Sequence, residues 1–278
     1  MMRCHRLLVI AALSCCLPSA QAGEVCPPVT RVGLSDLGYG SYRENGRIVG
    51  IAVDVINEMA RRSGCKFEFH WFPRQRLFVE LQSGHVDMAM GAFRTPERDA
   101  YARHLPYAYL QYDLILREAP SRSYASLSEF VERGGGRLNV TRGLVYDSAV
   151  ETQLALLASA GRLEVVNDFE TVFGKLEMGR ADGTIATAAI YAKYLKDGKL
   201  KNSVVIPIAE ATPRVTGIYV SKSTVPTRTR QFYASVLKGM VAEQLVLGYY
   251  SRYIDEATVR RTFKPGVGPL LNSLSTPE

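Results

Sequence analysis

The chain of 278 residues sets 34 Lys and Arg against 27 Asp and Glu, for a formal net charge of +7, and is 47% hydrophobic. That length suits one large domain or two lobes of ordinary size. The basic residues are scattered rather than clustered with aromatics on one element, which argues against a nucleic-acid partner, and no run after residue 22 approaches the roughly 20 apolar residues of a membrane helix.

Residues 1–22 place Arg3 and Arg6 ahead of an apolar run, Leu7 to Leu17, and end in Ala20-Gln21-Ala22, the small-x-small form of a secretory cleavage site. They are predicted to be a signal peptide, with a mature, soluble periplasmic chain beginning at Gly23. Lipid attachment at Cys15 or Cys16 is the alternative, although the residues before each cysteine fit it poorly. Three of the five cysteines leave with this segment, so Cys26 and Cys65 remain. In an oxidising compartment these predict one bridge, with two buried thiols as the alternative. Together with His70, His85 and His104 they show no spacing that suggests a metal site.

Short β-branched runs then alternate with helical periods, the pattern of an α/β protein with mainly parallel sheets. Strands are predicted over 31–35, 66–71, 88–91, 113–117, 137–141, 163–166, 183–186, 204–207 and 216–221. Between them lie helices over 53–62, ended by Ser63-Gly64, and from Pro73 to the stop at Ser83-Gly84. Ser126 and Glu129 form a capping box for the next helix, and further helices follow over 146–160 and 169–178. Helical periodicity then runs from Thr227 to Ile254, with Gly239 and Gly248 as the expected breaks, and the Pro-, Gly- and Ser-rich tail beyond Lys264 is expected to be loose.

The stretch Gly91-Ala-Phe-Arg-Thr-Pro-Glu-Arg98 stands out as a strand end running into a helix start. Thr95 is a good cap, Pro96 suits the first helical position, and Arg98 falls in the first turn, beside free N–H groups that favour an anion. Taken alone, it also fits a capped helix with a solvated arginine. No long polar linker divides the chain, so two lobes would be joined by ordered crossings, at 112–117 and 209–216. The expected lobes are then residues 23–113 with 213–278, and residues 114–212.

The order and spacing of several motifs resemble those of the type 3 extracellular solute-binding proteins, the polar amino-acid-binding components of ABC importers. A strand with Asp36, then Tyr39 and Tyr42 and Gly50-Ile-Ala-Val-Asp54, stand where that family has a strand, an aromatic loop and Gly-Phe-Asp-x-Asp. Leu81-Gln-Ser-Gly-His-Val-Asp87, Thr95-Pro-Glu-Arg98, Pro106-Tyr107 and Gly179-Arg-Ala-Asp182 follow in the family's order, and the likeness covers nearly all the mature chain. It implies a two-lobed periplasmic-binding-protein-like fold of type II and a monomer that delivers a small solute to an ABC permease.

By the same resemblance, Arg98 would clamp a ligand carboxylate with a bidentate guanidinium grip. Gly91 and Phe93 would lend the strand end, and Tyr39 and Tyr42 would pack on the ligand. The chain also departs from the family. Phe93 replaces a Ser or Thr, Thr187 replaces the aspartate that receives an ammonium, Tyr146 follows the second-lobe turn at Gly143, and Arg74 stands where relatives often carry a stacking aromatic. A cleft that gains a cation and loses an anion suits a carboxylate or other small anion better than a free amino acid. Other readings stay open: Arg74 as a surface arginine, the tyrosines as loop packing, Thr187 as a helix cap, and Asp36 as a cap of its own loop.

No hydrolase motif is present, and Gly134-Gly-Gly136 lacks the Lys-Ser or Lys-Thr of a phosphate loop, so neither an enzyme nor a cofactor is expected. Asp36 and Asp147 are weak candidates for a dehydratase acid or base.

Overall fold

The computed structural model describes residues 25–119, 124–196 and 200–276; the expected signal peptide, residues 1–22, lies outside them. The amino-terminal part runs β1 (Thr30–Leu34), β2 (Tyr42–Glu44), β3 (Arg47–Val49), α1 (Ile51–Ser63), β4 (Phe67–Trp71), α2 (Arg74–Gln82), β5 (Met88–Phe93), α3 (Pro96–Tyr101) and β6 (Ala102–Leu110). The middle runs β7 (Tyr112–Leu116), α4 (Leu127–Arg133), β8 (Leu138–Thr141), α5 (Ser148–Ser159), β9 (Leu163–Val166), α6 (Phe169–Glu177), β10 (Gly183–Thr187), α7 (Ala188–Lys196) and β11 (Val204–Pro207). The chain then returns through β12 (Arg214–Ser221), α8 (Thr227–Ala242), α9 (Leu245–Tyr250), α10 (Glu256–Thr262) and α11 (Gly268–Ser275).

Two five-stranded sheets result, ordered β4-β1-β5-β12-β6 and β11-β7-β10-β8-β9, and helices flank both. The α/β class expected from the alternation is present, but the parallel share is smaller than expected. In the first sheet β1 is parallel to β4 and β5, while β12 runs antiparallel to β5 and β6. In the second, β8 is parallel to β9 and β10, while β7 is antiparallel to β10 and β11. Tyr112 and Asp113, assigned from sequence to the first lobe, pair in the second sheet.

Local chemistry explains most element ends. Helix α1 buries Val55, Ile56 and Met59 on one stripe and stops at Gly64, whose φ of 71° is the left-handed conformation glycine tolerates best. The next residue, Cys65, is bonded to Cys26, tying the start of β4 to the segment before β1. Thr95 caps α3 by accepting from Arg98 N–H. Ser126 caps α4, and the Glu129 carboxylate reaches back to Ala125 N–H, a capping box displaced by one residue.

Three expectations require correction. Strand β6 was not among the expected strands; it lies at the edge of its sheet, where the missing N–H of Pro106 breaks no central ladder. The break between α8 and α9 comes at Gln244, in the left-handed region at φ 58°, whereas Gly239 and Gly248 lie inside helices. Burial of Leu237, Met240 and Val241 outweighs the roughly 1 kcal/mol penalty of a helical glycine. The tail is not loose: α11 buries Leu270 and Leu274 and packs on α8.

Candidate functional site

Strand β5 ends beside α2, and that meeting fixes two guanidinium groups. Arg98 Nη1 donates to Phe93 O at 3.3 Å, and its guanidinium carbon lies 3.5 Å from the centre of the Phe78 ring. Arg74, in the first turn of α2, donates from Nη1 to Met90 O at 3.2 Å and from Nη2 to Gly91 O at 2.8 Å. Its guanidinium carbon lies 4.8 Å from the centre of the same ring, and its buried Nε has no partner. Gly91 permits this approach, since its φ is 63° and a Cβ there would lie 2.6 Å from a Leu37 methyl.

Neither arginine forms an ion pair among the described residues. Burial pulls the Arg74 pKa down to about 10, with the charge of Arg98 adding to the effect, and burial lowers Arg98 as well. Both remain protonated at neutral pH. They therefore bring positive charge into a poorly solvated place where, among the described residues, no carboxylate pairs with them.

The groups border a cavity of about 40 Å³ between the sheets. Arg74, Gly91, Phe93 and Arg98 form one side, Tyr107 and Tyr112 bridge it, and Leu144, Val145, Thr187 and Ile190 face them from the second sheet and its loops. Among the described residues, arginine is the only charged type in its wall. Burial pushes the Tyr107 phenol up to about 12 and Tyr112 higher still, so both stay neutral donors.

Residues 32–240 match the model of the bacterial extracellular solute-binding proteins, family 3. The chain belongs to that family. This family 3 protein is 21% identical over 205 residues to a probable histidine-binding protein of Neisseria gonorrhoeae, a match covering 74% of each chain. Among solved structures it resembles an ancestral arginine-binding protein bound to arginine, at TM-score 0.69 and 21% identity, covering 82% of this chain and 98% of the other. It also resembles a histidine kinase sensor domain with similarity to periplasmic binding proteins, at TM-score 0.66 and 18% identity, covering 81% and 96%. At those identities the two structures show the fold alone.

Of the residues singled out from sequence, the solute-binding protein brings Arg98, Arg74, Gly91, Phe93 and Thr187 to the wall of one cavity. Tyr39 lies off it: the ring stacks on Tyr253 at 4.7 Å and meets Tyr42 edge-on at 5.7 Å, while its N–H donates to Ala189 O. Tyr42 and Asp36 border a wider outer groove of about 1130 Å³ that also reaches Arg74. Asp36 accepts from Gly38 N–H at 3.0 Å and from the Tyr194 hydroxyl at 2.6 Å. Tyr146 packs its ring on Tyr112 at 4.7 Å, behind the wall.

Sequence reasoning left Tyr112 and Leu144 without a site role and quoted Tyr107 only as part of a motif. Position after Pro106 was the available signal for Tyr107; Tyr112 had none, because its place follows from the crossing into β7. Arg214 was also missed. It donates to Val145 O at 3.0 Å, lies 3.6 Å from the Asp147 carboxylate and sits 4.5 Å from the Phe93 ring centre, joining β12 to the loop before α5.

Proposed function

We propose that this protein is exported by a cleaved signal peptide and captures a small carboxylate or amino-acid-like solute between two lobes in the periplasm, as a monomer, for delivery to an ABC-type permease. The lobes are residues 23–111 with 213–278, and residues 112–212, with the chain crossing near Gln111 and before Arg214. The observation that carries this reading is the pair of cations, Arg74 and Arg98, set without an acidic partner in the wall of an interlobe cavity. One charge-assisted bond contributes about 1.5–3 kcal/mol, whereas micromolar binding needs about 8 kcal/mol. Arg98 alone is therefore insufficient, and two lobes closing over the solute supply the other donors and exclude water.

Binding rather than turnover is the better reading. Asp36 is committed to Gly38 and Tyr194, Asp147 faces Arg214, and neither borders the inner cavity. The likeness to a kinase sensor domain supports a second reading, in which closure signals to a membrane partner without transport. Thermal-shift screening against amino acids and carboxylates tests the site. At least one solute is expected to raise the melting temperature, and Arg98→Met is expected to abolish that shift; a full shift in the variant would remove Arg98 from the site. Solute uptake lost on deleting the protein, together with a purified permease that retains it, would separate transport from signalling.

A further inference from the structure

We infer that the solute is a short monocarboxylate with an apolar body and no ammonium group. This deepens the proposed function and rests on the inner cavity being its ligand site. The first argument is placement. Both cations lie against one ring, Phe78, so positive charge is gathered at a single end of the cavity. Apart from them the wall is supplied largely by apolar side chains, among them Ile51, Leu110, Leu144 and Ile190. One anionic head group has a place there, and a second carboxylate at the far end would meet hydrocarbon.

The second argument is the balance of donors and acceptors. Gly91 O accepts from Arg74 and Phe93 O from Arg98. Val145 O accepts from both Tyr112 and Arg214, and Ala189 O from Tyr39 N–H. Leu37 O and Gly40 O accept from Gly40 N–H and Ala52 N–H. Each of these carbonyls thus already accepts a bond from the chain, and no carboxylate is among the described residues of the wall. Donors remain unspent, because Arg98 carries five N–H groups and reaches Phe93 O through Nη1. A carboxylate, which only accepts, satisfies such a wall; an α-ammonium, which only donates, would be buried without a counter-charge.

Size sets the third limit. A cavity of about 40 Å³ holds about three water-sized groups at roughly 10–15 Å³ each. Room on that scale favours a short solute over a long one.

Isothermal titration calorimetry on the purified mature protein at pH 7, with solutes matched in carbon skeleton, tests the inference: butyrate against 2-aminobutyrate, isovalerate against valine, and succinate as the dianion. The monocarboxylate of each pair is expected to bind about 30-fold tighter than its amino acid, and tighter than succinate. Thr187→Asp, which sets an anion in the wall, is expected to reduce that preference at least about tenfold. Amino acids binding as tightly as their partners, succinate binding best, or no member of the set binding would each overturn the inference. In all three cases the broader solute-binding reading stands if another solute binds and Arg98→Met abolishes the response; no response to any solute of the wider panel would sink that reading too.

Discussion

Arg261 of α10 grips Asp113 of β7 through two hydrogen bonds, Nη1 to Oδ1 at 2.6 Å and Nη2 to Oδ2 at 2.7 Å. Asp113 is fully buried and also accepts from the Tyr191 hydroxyl at 3.0 Å. The carboxyl-terminal helices are thereby tied to the strand at which the chain enters the second sheet. Arg261→Met would leave that carboxylate buried with one neutral donor, and a loss of about 3–5 kcal/mol is expected. Urea unfolding checks it; a midpoint within error of the parent would show the pair to be dispensable.

The Cys26–Cys65 bond closes a separation of 39 residues across the edge of the first sheet. Reduction, or Cys26→Ser with Cys65→Ser, is expected to lower stability by about 2–4 kcal/mol. The check is the melting temperature with and without reductant, paired with thiol counting by mass spectrometry. Two free thiols in the untreated protein would contradict the expectation.

Acid should weaken the protein through His104. Burial holds its imidazole pKa down at about 4, against an ordinary 6.5, while its Nε2–H donates to Ala92 O at 2.9 Å. As pH falls below 6.5 the unfolded chain takes up the proton first, so this contribution to stability declines from pH 6.5 to about 4 and then levels off. The expected loss is about 3 kcal/mol. His104→Gln, which keeps a donor but does not titrate here, should flatten the stability profile in that window. A variant profile that tracks the parent would assign the acid sensitivity elsewhere.

The Tyr194 hydroxyl donates to Asp36 Oδ2 at 2.6 Å, joining α7 of the second sheet's layer to the loop after β1. Tyr194→Phe removes a charge-assisted bond of about 1.5–3 kcal/mol between the two layers. Small-angle scattering of the ligand-free variant is expected to give a larger radius of gyration, with solute released about tenfold faster. An identical scattering curve and release rate would mean that the bond does not hold the lobes together.

Much of the fold was legible because its signals are local. Gly64, Thr95 and Ser126 end or begin helices through their own backbone or hydroxyl chemistry, so their roles need no distant partner. The helix break at Gln244 was not legible, because the burial of Met240 and Val241 that carries α8 past Gly239 depends on what packs against it. The same holds for α11, whose Leu270 and Leu274 find a surface on α8 that a composition reading cannot supply.

For the site, the sequence by itself determined the inventory: two arginines at Arg74 and Arg98, a threonine at Thr187, and a strand end at Gly91 to Phe93. Residue type and spacing along the chain fix these, and the motif order fixes the family. Only the tertiary structure decided which aromatics border the cavity. Tyr107 and Tyr112 do, while Tyr39 is taken by Tyr253, more than two hundred residues away in sequence. It also decided which carbonyls are already spent, since Val145 O meets the Arg214 guanidinium only where the two sheets come together. The physical reason is that capping and periodicity act within a few residues, whereas the charge balance of a cavity is set by groups that meet only on folding.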